Sequence, residues 1–186
     1  MSHDDGAATH FLAFSLHAFW FLSHHFDTSM NDITSLRRIL KNNRVIAVVG
    51  LSANWWRPSF FVAKYLKEHG YRIIPVNPAY DEVLGEKCYA TLDDVPEKID
   101  MVDCFRKAEE IPPLADAAIR LGAKCLWMQL GVVNEAAAAR ASGAGLDVVM
   151  DRCVKIEHAR LFGGLNYAGV NTKVISARRP NIDPAR

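Results

Sequence analysis

The segment Val45-Ile46-Ala47-Val48-Val49-Gly50-Leu51-Ser52 constrains this chain more than any other. A β-branched run too short for a helix ends in glycine, and after Asn54-Trp55-Trp56-Arg57-Pro58-Ser59 an amphipathic pattern takes over. That order reads as a buried strand, a loop and the start of a helix. In an α/β domain such a junction turns backbone N–H groups and the positive end of a helix dipole toward an anion. The feature predicts a parallel sheet and, at its edge, a place for phosphate.

The same alternation recurs downstream. Residues 59–69 read as a helix stopped by Gly70, and residues 71–76 as a strand closed by Asn77-Pro78, which completes a βαβ unit. Residues 85–89 read as a short third strand, 91–96 as a turn or single helical turn, and 100–105 as a fourth strand. Helices at 112–121 and 134–142 then alternate with strands at 124–130 and 146–150, and a last helix covers 154–161. The expected fold is an α/β, Rossmann-like doubly wound parallel sheet of about five strands with helices on both faces. At 186 residues, half of them hydrophobic, the chain has the apolar content for one such domain.

Residues 10–26 are rich in Phe, Leu and Trp but interrupted by His17, His24 and His25. The stretch is shorter than the ~20 apolar residues that span a bilayer, and no Lys or Arg precedes it. Neither an export signal nor a membrane span is read there, and an interfacial helix would want a basic face that is missing. Met30 is followed by Asn31-Asp32-Ile33-Thr34-Ser35, the start of a capped helix. Residues 1–29 are thus expected to be an extension ahead of a start at Met30, residues 30–165 the domain, and residues 166–186 a polar tail.

A net charge of +1, with no basic block beyond Arg178-Arg179, argues against nucleic acid as a partner. Four cysteines lie far apart with no C-x-x-C pair, which suggests neither a metal site nor a disulfide framework. They read as reduced core residues of a cytoplasmic protein.

Ligands of doubly wound sheets bind beyond the carboxyl ends of the strands. Those ends are Gly50, Leu51 and Ser52 after the first strand, Asn77 and Pro78 after the second, Phe105 and Arg106 after the fourth, Gln129 and Gly131 after the fifth, and Asp151-Arg152-Cys153 after the last. Arg57 offers a planar cation for phosphate, Ser52 and Ser59 offer hydroxyls, and Pro58 stands where it can open the helix. The plainer readings are a surface salt bridge for Arg57 and an N-cap for Ser59. The first loop is not G-x-G-x-x-G, and Asn77 stands where a dinucleotide enzyme presents an acid to the ribose; both departures count against NAD. His158 reads as a packing or helix-surface histidine, and Glu157 and Asp151 form no evident acid–base pair.

Together Val48-Val49-Gly50-Leu51-Ser52, Arg57-Pro58-Ser59, Tyr71-Arg72-Ile73-Ile74-Pro75-Val76-Asn77-Pro78, Leu126-Trp127-Met128-Gln129-Leu130-Gly131-Val132, and Asp151-Arg152-Cys153 with Lys155-Ile156-Glu157-His158 resemble the stand-alone CoA-binding domain family. That family is similar to the CoA-binding half of the succinyl-CoA synthetase α subunit, and the likeness runs through most of residues 37–163. The resemblance implies coenzyme A or an acyl-CoA as ligand, held at its phosphates by Gly50, Ser52, Arg57 and Ser59, with Leu51 in the same loop. Asn77 and Pro78 would border the nucleotide, while Phe105, Arg106, Gln129, Gly131 and Cys153 would line the rest of the cleft.

Trp55 and Trp56 depart from the small or polar residues expected in that loop, though an aromatic face suits adenine stacking. Cys153 opens a helix beside Arg152 and Lys155, a setting expected to lower a thiol pKa and to allow a mixed disulfide with the CoA thiol; the plainer reading is a packed cysteine. The synthetases' glycine-flanked histidine loop has no counterpart here, so a small non-catalytic or regulatory binding protein is expected. Two alternatives stay open: an NAD(P)-binding oxidoreductase or sensor, and a CoA-thioester enzyme subunit completed by a partner chain. A protein partner or a second copy is compatible with each, and no membrane partner is expected.

Overall fold

Asp32 accepts a hydrogen bond from the Ser35 N–H at 2.8 Å and so caps α1 (Ile33–Asn42), whose buried face is Leu36, Ile39 and Leu40. The computed structural model describes residues 32–162, and the expectations for residues 1–29 and 166–186 fall outside that range. From α1 the chain enters β1 (Val45–Val49), crosses through α2 (Pro58–Glu68) and returns in β2 (Arg72–Val76). A small excursion, β3 (Glu82–Val83) and β4 (Glu86–Lys87), precedes β5 (Met101–Cys104). Then come α3 (Ile111–Arg120), β6 (Cys125–Met128), α4 (Glu135–Gly143), β7 (Asp147–Val149) and α5 (Val154–Phe162).

Five strands form one parallel sheet in the order β2-β1-β5-β6-β7. The chain steps outward from β1 to β2, then passes back over β1 to β5 and continues the other way. The direction of winding therefore reverses between β1 and β5, the position at which such sheets open a crevice. This is the expected Rossmann-like doubly wound α/β architecture, and the crevice lies at the end of the glycine-terminated strand.

Period-2 alternation sorts the strands' side chains onto two faces. Ile46, Val48, Met101, Trp127 and Val149 pack with Leu36, Val62, Leu66 and Val154, so α1, α2 and α5 cover one face. Ala47, Val49, Val102, Leu126 and Val148 pack with Ala115, Ala118, Ala137 and Ala141, so α3 and α4 cover the other. The alanine rows of those two helices let them lie close to the sheet. Each aliphatic side chain taken fully out of water contributes about 1.5–3 kcal/mol, and both layers are built from such residues.

Within residues 85–89, expected as a short third strand, only Glu86–Lys87 is a strand, and it pairs in a hairpin instead of joining the main sheet. Leu84 and Gly85, at φ 59° and 73°, turn the chain between β3 and β4, which pair antiparallel apart from the main sheet. Two consecutive left-handed residues match the twist of a tight hairpin, and that turn removes the segment from the sheet. Tyr89 reaches back through its backbone: its N–H donates to the Pro75 carbonyl at 3.0 Å, and its carbonyl accepts from the Asn77 N–H at 2.8 Å. No helix among the described residues is long and apolar enough to cross a membrane, and none of their acidic, histidine and cysteine side chains cluster as a metal site would require.

Candidate functional site

Gly50 ends β1 with φ +84°, and a Cβ at this position would stand 2.5 Å from the Phe105 carbonyl oxygen and 2.8 Å from Arg106 Cδ. The loops after β1 and β5 touch here, and only a residue without a side chain permits it. The Gly50 N–H donates to the Val76 carbonyl at 2.8 Å, which ties the loop to the end of β2 as well. Leu51 is fully buried and anchors the loop in the core beneath.

Polar side chains within the loop hold its shape. The Ser52 N–H donates to Ser59 Oγ at 3.2 Å, the Ser52 hydroxyl accepts from the Asn54 N–H at 3.1 Å and lies 3.3 Å from the Tyr80 hydroxyl, and Asn54 Oδ1 accepts from the Trp56 N–H at 3.0 Å. Arg57 occupies the N-cap position of α2 and Pro58 its first turn. Ser59 is therefore not the cap. It is the second helical residue, buried, with its hydroxyl turned back on the loop. The Arg57 side chain is exposed and enters none of the ion pairs among the described residues, so the surface salt bridge expected as its plainer role is absent there. Gly50, Ser52, Arg57, Pro58, Ser59 and Phe105 enclose a cavity of about 340 Å³ at the N-terminus of α2.

Gly50 also belongs to a larger cavity of about 750 Å³ on the α3 side, walled by Val49, Asn77, Pro78, Thr91, Arg106 and Leu114. The Asn77 amide is committed there: Nδ2 donates to the Leu51 carbonyl at 2.9 Å and Oδ1 accepts from the Ala79 N–H at 3.0 Å. Arg106 Nε donates to Glu110 at 2.8 Å, and Arg120 grips Asp93 through 2.6 and 2.8 Å bonds at the rim. On the other side, Pro58 and Phe105 are shared with a third cavity of about 340 Å³ that adds Val62, Gln129, Leu130, Val132 and Cys153. The three spaces adjoin through shared residues along the carboxyl edge of the sheet.

Of the residues expected at the site, ten line one of these cavities: Gly50, Ser52, Arg57, Ser59, Asn77, Pro78, Phe105, Arg106, Gln129 and Cys153. Leu51 and Gly131 do not. Leu51 supports the loop from below, and the Gly131 N–H donates to Asp151 Oδ1 at 2.7 Å, joining the loops after β6 and β7.

Asp103 escaped the sequence reading as a site residue. It lies fully buried in β5, where its Oδ1 accepts from Gln129 Nε2 at 2.6 Å and its Oδ2 has no partner among the described residues. Burial pushes its carboxyl up to about 7, against the lowering effect of the Gln129 bond. The available signal was an acid inside the otherwise apolar run Met101-Val102-Asp103-Cys104-Phe105. Tyr80, Val62 and Val132 carried no such signal and reach the site only through the tertiary fold.

The surroundings of Cys153 favour the plainer reading of a packed cysteine. Burial pushes its thiol up, and the N–H groups of Ile156 and Lys155, which act in the opposite sense, do not offset it. The shift runs against the lowered thiol pKa expected from the helix start and its two cations. His158 is a buried packing residue: its Nδ1 is 3.0 Å from the Tyr65 hydroxyl, its ring meets Tyr71 and Phe162, and burial lowers it to about 4. Glu157 is buried between Arg152 and Arg160, and Asp151 Oδ1 accepts from the Gly131 N–H, so each takes part in a structural contact. Trp55 and Trp56 are 54% and 70% exposed with ring centroids 4.2 Å apart, outside all three cavities.

Comparison with known proteins places these features in a family. A family model described as a CoA binding domain matches residues 44–159. The uncharacterised protein YneT of Bacillus subtilis is 41% identical over 124 residues, covering 67% of this chain and 92% of that protein. A solved structure of a hypothetical protein from Pyrococcus horikoshii superimposes with a TM-score of 0.69 at 44% identity, over 71% of this chain and 93% of that one. The ADP-forming acetate–CoA ligase II of Archaeoglobus fulgidus is 32% identical over 101 residues, which are 53% of this chain but only 14% of the enzyme. The strand–Gly50–helix junction, the switch point and the matched span thus belong together: this chain is a member of the CoA-binding domain family, related to the corresponding domains of CoA ligases.

Proposed function

We propose that the protein binds coenzyme A or an acyl-CoA along the carboxyl edge of its sheet, as a small non-catalytic or regulatory binding protein of the cytoplasm. The observation that carries this reading is the convergence of Arg57, the N-terminus of α2 and the Gly50 close approach on one cavity flanked by two others. A cation without an ion-pair partner among the described residues and a helix N-terminus suit a diphosphate. The 750 Å³ cavity beside Asn77 and Pro78 suits the adenosine end, and the pantetheine arm would run from the α2 cavity toward the mouth of the apolar cavity beside Gln129.

Family membership supports the same ligand. The dinucleotide alternative loses support, because both polar atoms of Asn77 are committed to backbone groups and the loop lacks the glycine fingerprint. A binding role is favoured over catalysis by the commitment of Asp151, Glu157 and His158 to structural contacts.

Parallel calorimetric titrations with CoA, dephospho-CoA and NAD test the assignment. CoA should bind and NAD should not, and Arg57→Ala should weaken CoA roughly tenfold, the ~1.4 kcal/mol of one charge-assisted contact. Binding of NAD with CoA silent would overturn it.

A further inference from the structure

The third cavity differs in chemistry from its neighbours. It adjoins the α2 cavity through Pro58 and Phe105, yet none of its lining residues is charged: Val62, Phe105, Leu130, Val132 and Cys153 supply an apolar wall, and Gln129 is its polar group. At about 340 Å³ it exceeds by roughly twofold the ~150 Å³ of an apolar cavity that holds benzene. Gln129 is 4% exposed and fixed by the 2.6 Å bond to Asp103, whose second oxygen is buried without a partner among the described residues. Such a polar pair beneath an apolar wall is costly to bury unless its hydrogen-bonding capacity is used. One proton of the Gln129 amide is engaged by Asp103, and the other remains for an acceptor.

We propose that this cavity is an acyl pocket: it receives a short, uncharged acyl group carried on CoA, with the Gln129 amide, positioned by Asp103, donating to the thioester carbonyl. The inference rests on the CoA reading above and adds to it a preference among thioesters. A short saturated chain gains from transfer onto Val62, Leu130 and Val132. A terminal carboxylate would have to lose its water beside Asp103 with no cation among the lining residues to meet it, so a dicarboxylic acyl group is disfavoured.

Calorimetric titration of the unmodified protein with CoA, butyryl-CoA and succinyl-CoA reads this preference. Butyryl-CoA should bind at least roughly tenfold more tightly than CoA, and succinyl-CoA no more tightly than CoA. Val132→Phe, which fills the pocket, should remove the butyryl advantage by lowering butyryl-CoA affinity to that of CoA for the same variant; a thermal melt establishes that the variant is folded. CoA, butyryl-CoA and succinyl-CoA bound with equal affinity would overturn the acyl pocket and leave the CoA reading standing. No binding of any of the three would overturn both. Because the ligand series is read on the wild-type chain, the outcome does not depend on the variant folding.

Discussion

Gly50 stands where two demands meet, a left-handed backbone and a loop-to-loop approach too tight for a methyl group. Gly50→Ala should cost about 1–3 kcal/mol from the backbone strain alone, with further loss as the Phe105 carbonyl is pushed away, measurable by urea unfolding. A variant as stable as the wild type would show that the two loops separate easily. Asp103 makes a different demand on the same edge. Folded, it keeps its proton up to about pH 7, whereas an unfolded aspartate releases it near ~3.9. Between those values the folded state binds more protons, so the contribution of this group is full below about pH 4 and is lost as the pH rises toward about 7. The gap corresponds to on the order of 4 kcal/mol. The stability of Asp103→Asn relative to wild type should therefore improve by a few kcal/mol between pH 5 and pH 8, and a pH-independent difference would contradict the buried acid.

At the scale of elements, α1 joins the sheet through two kinds of contact whose contributions differ. Arg38 Nη1 and Nη2 reach both oxygens of Asp147 at 2.9 and 2.8 Å, but the arginine is half exposed. Leu40 on the buried face is fully covered. Arg38→Ala should cost no more than about 1 kcal/mol, and Leu40→Ala about 2–5 kcal/mol, in the same denaturation experiment. The reverse ranking would mean that the ion pair seats the helix.

The helices and sheet strands were legible in the sequence because each carries a local signal: apolar runs at β1 and β2, Gly70 and Gly122 after helices, and Asn134 accepting from the Ala137 N–H at 2.9 Å as a cap. The β3–β4 hairpin was not legible, because its turn uses Leu84 in a left-handed conformation that leucine seldom adopts. The site was legible at the strand ends and not within the strands. Val62 lines the groove, Asp103 supports Gln129 and Tyr80 meets Ser52 only through packing between elements distant in sequence. The burial that raises the Cys153 thiol is likewise a property of α5 against the sheet and not of the helix start alone.

For the molecule as a whole, three adjoining cavities of different chemistry lie along one edge: one with a carboxylate-rich rim, one at a helix N-terminus with a single arginine, and one apolar. A ligand with a base, a diphosphate and a long arm is matched to that order in a way that a compact anion is not. The central claim is that CoA lies along this edge with its phosphates at the loop after β1. A titration of ¹⁵N-labelled protein with CoA, followed by amide shifts, tests it most directly. The account predicts perturbations from Gly50 to Phe61 and at Asn77, Phe105, Gln129 and Gly131, with Gly70, Gly122 and Gly145 at the opposite edge unmoved. Shifts confined to those three glycines, or none at saturating CoA, would contradict it.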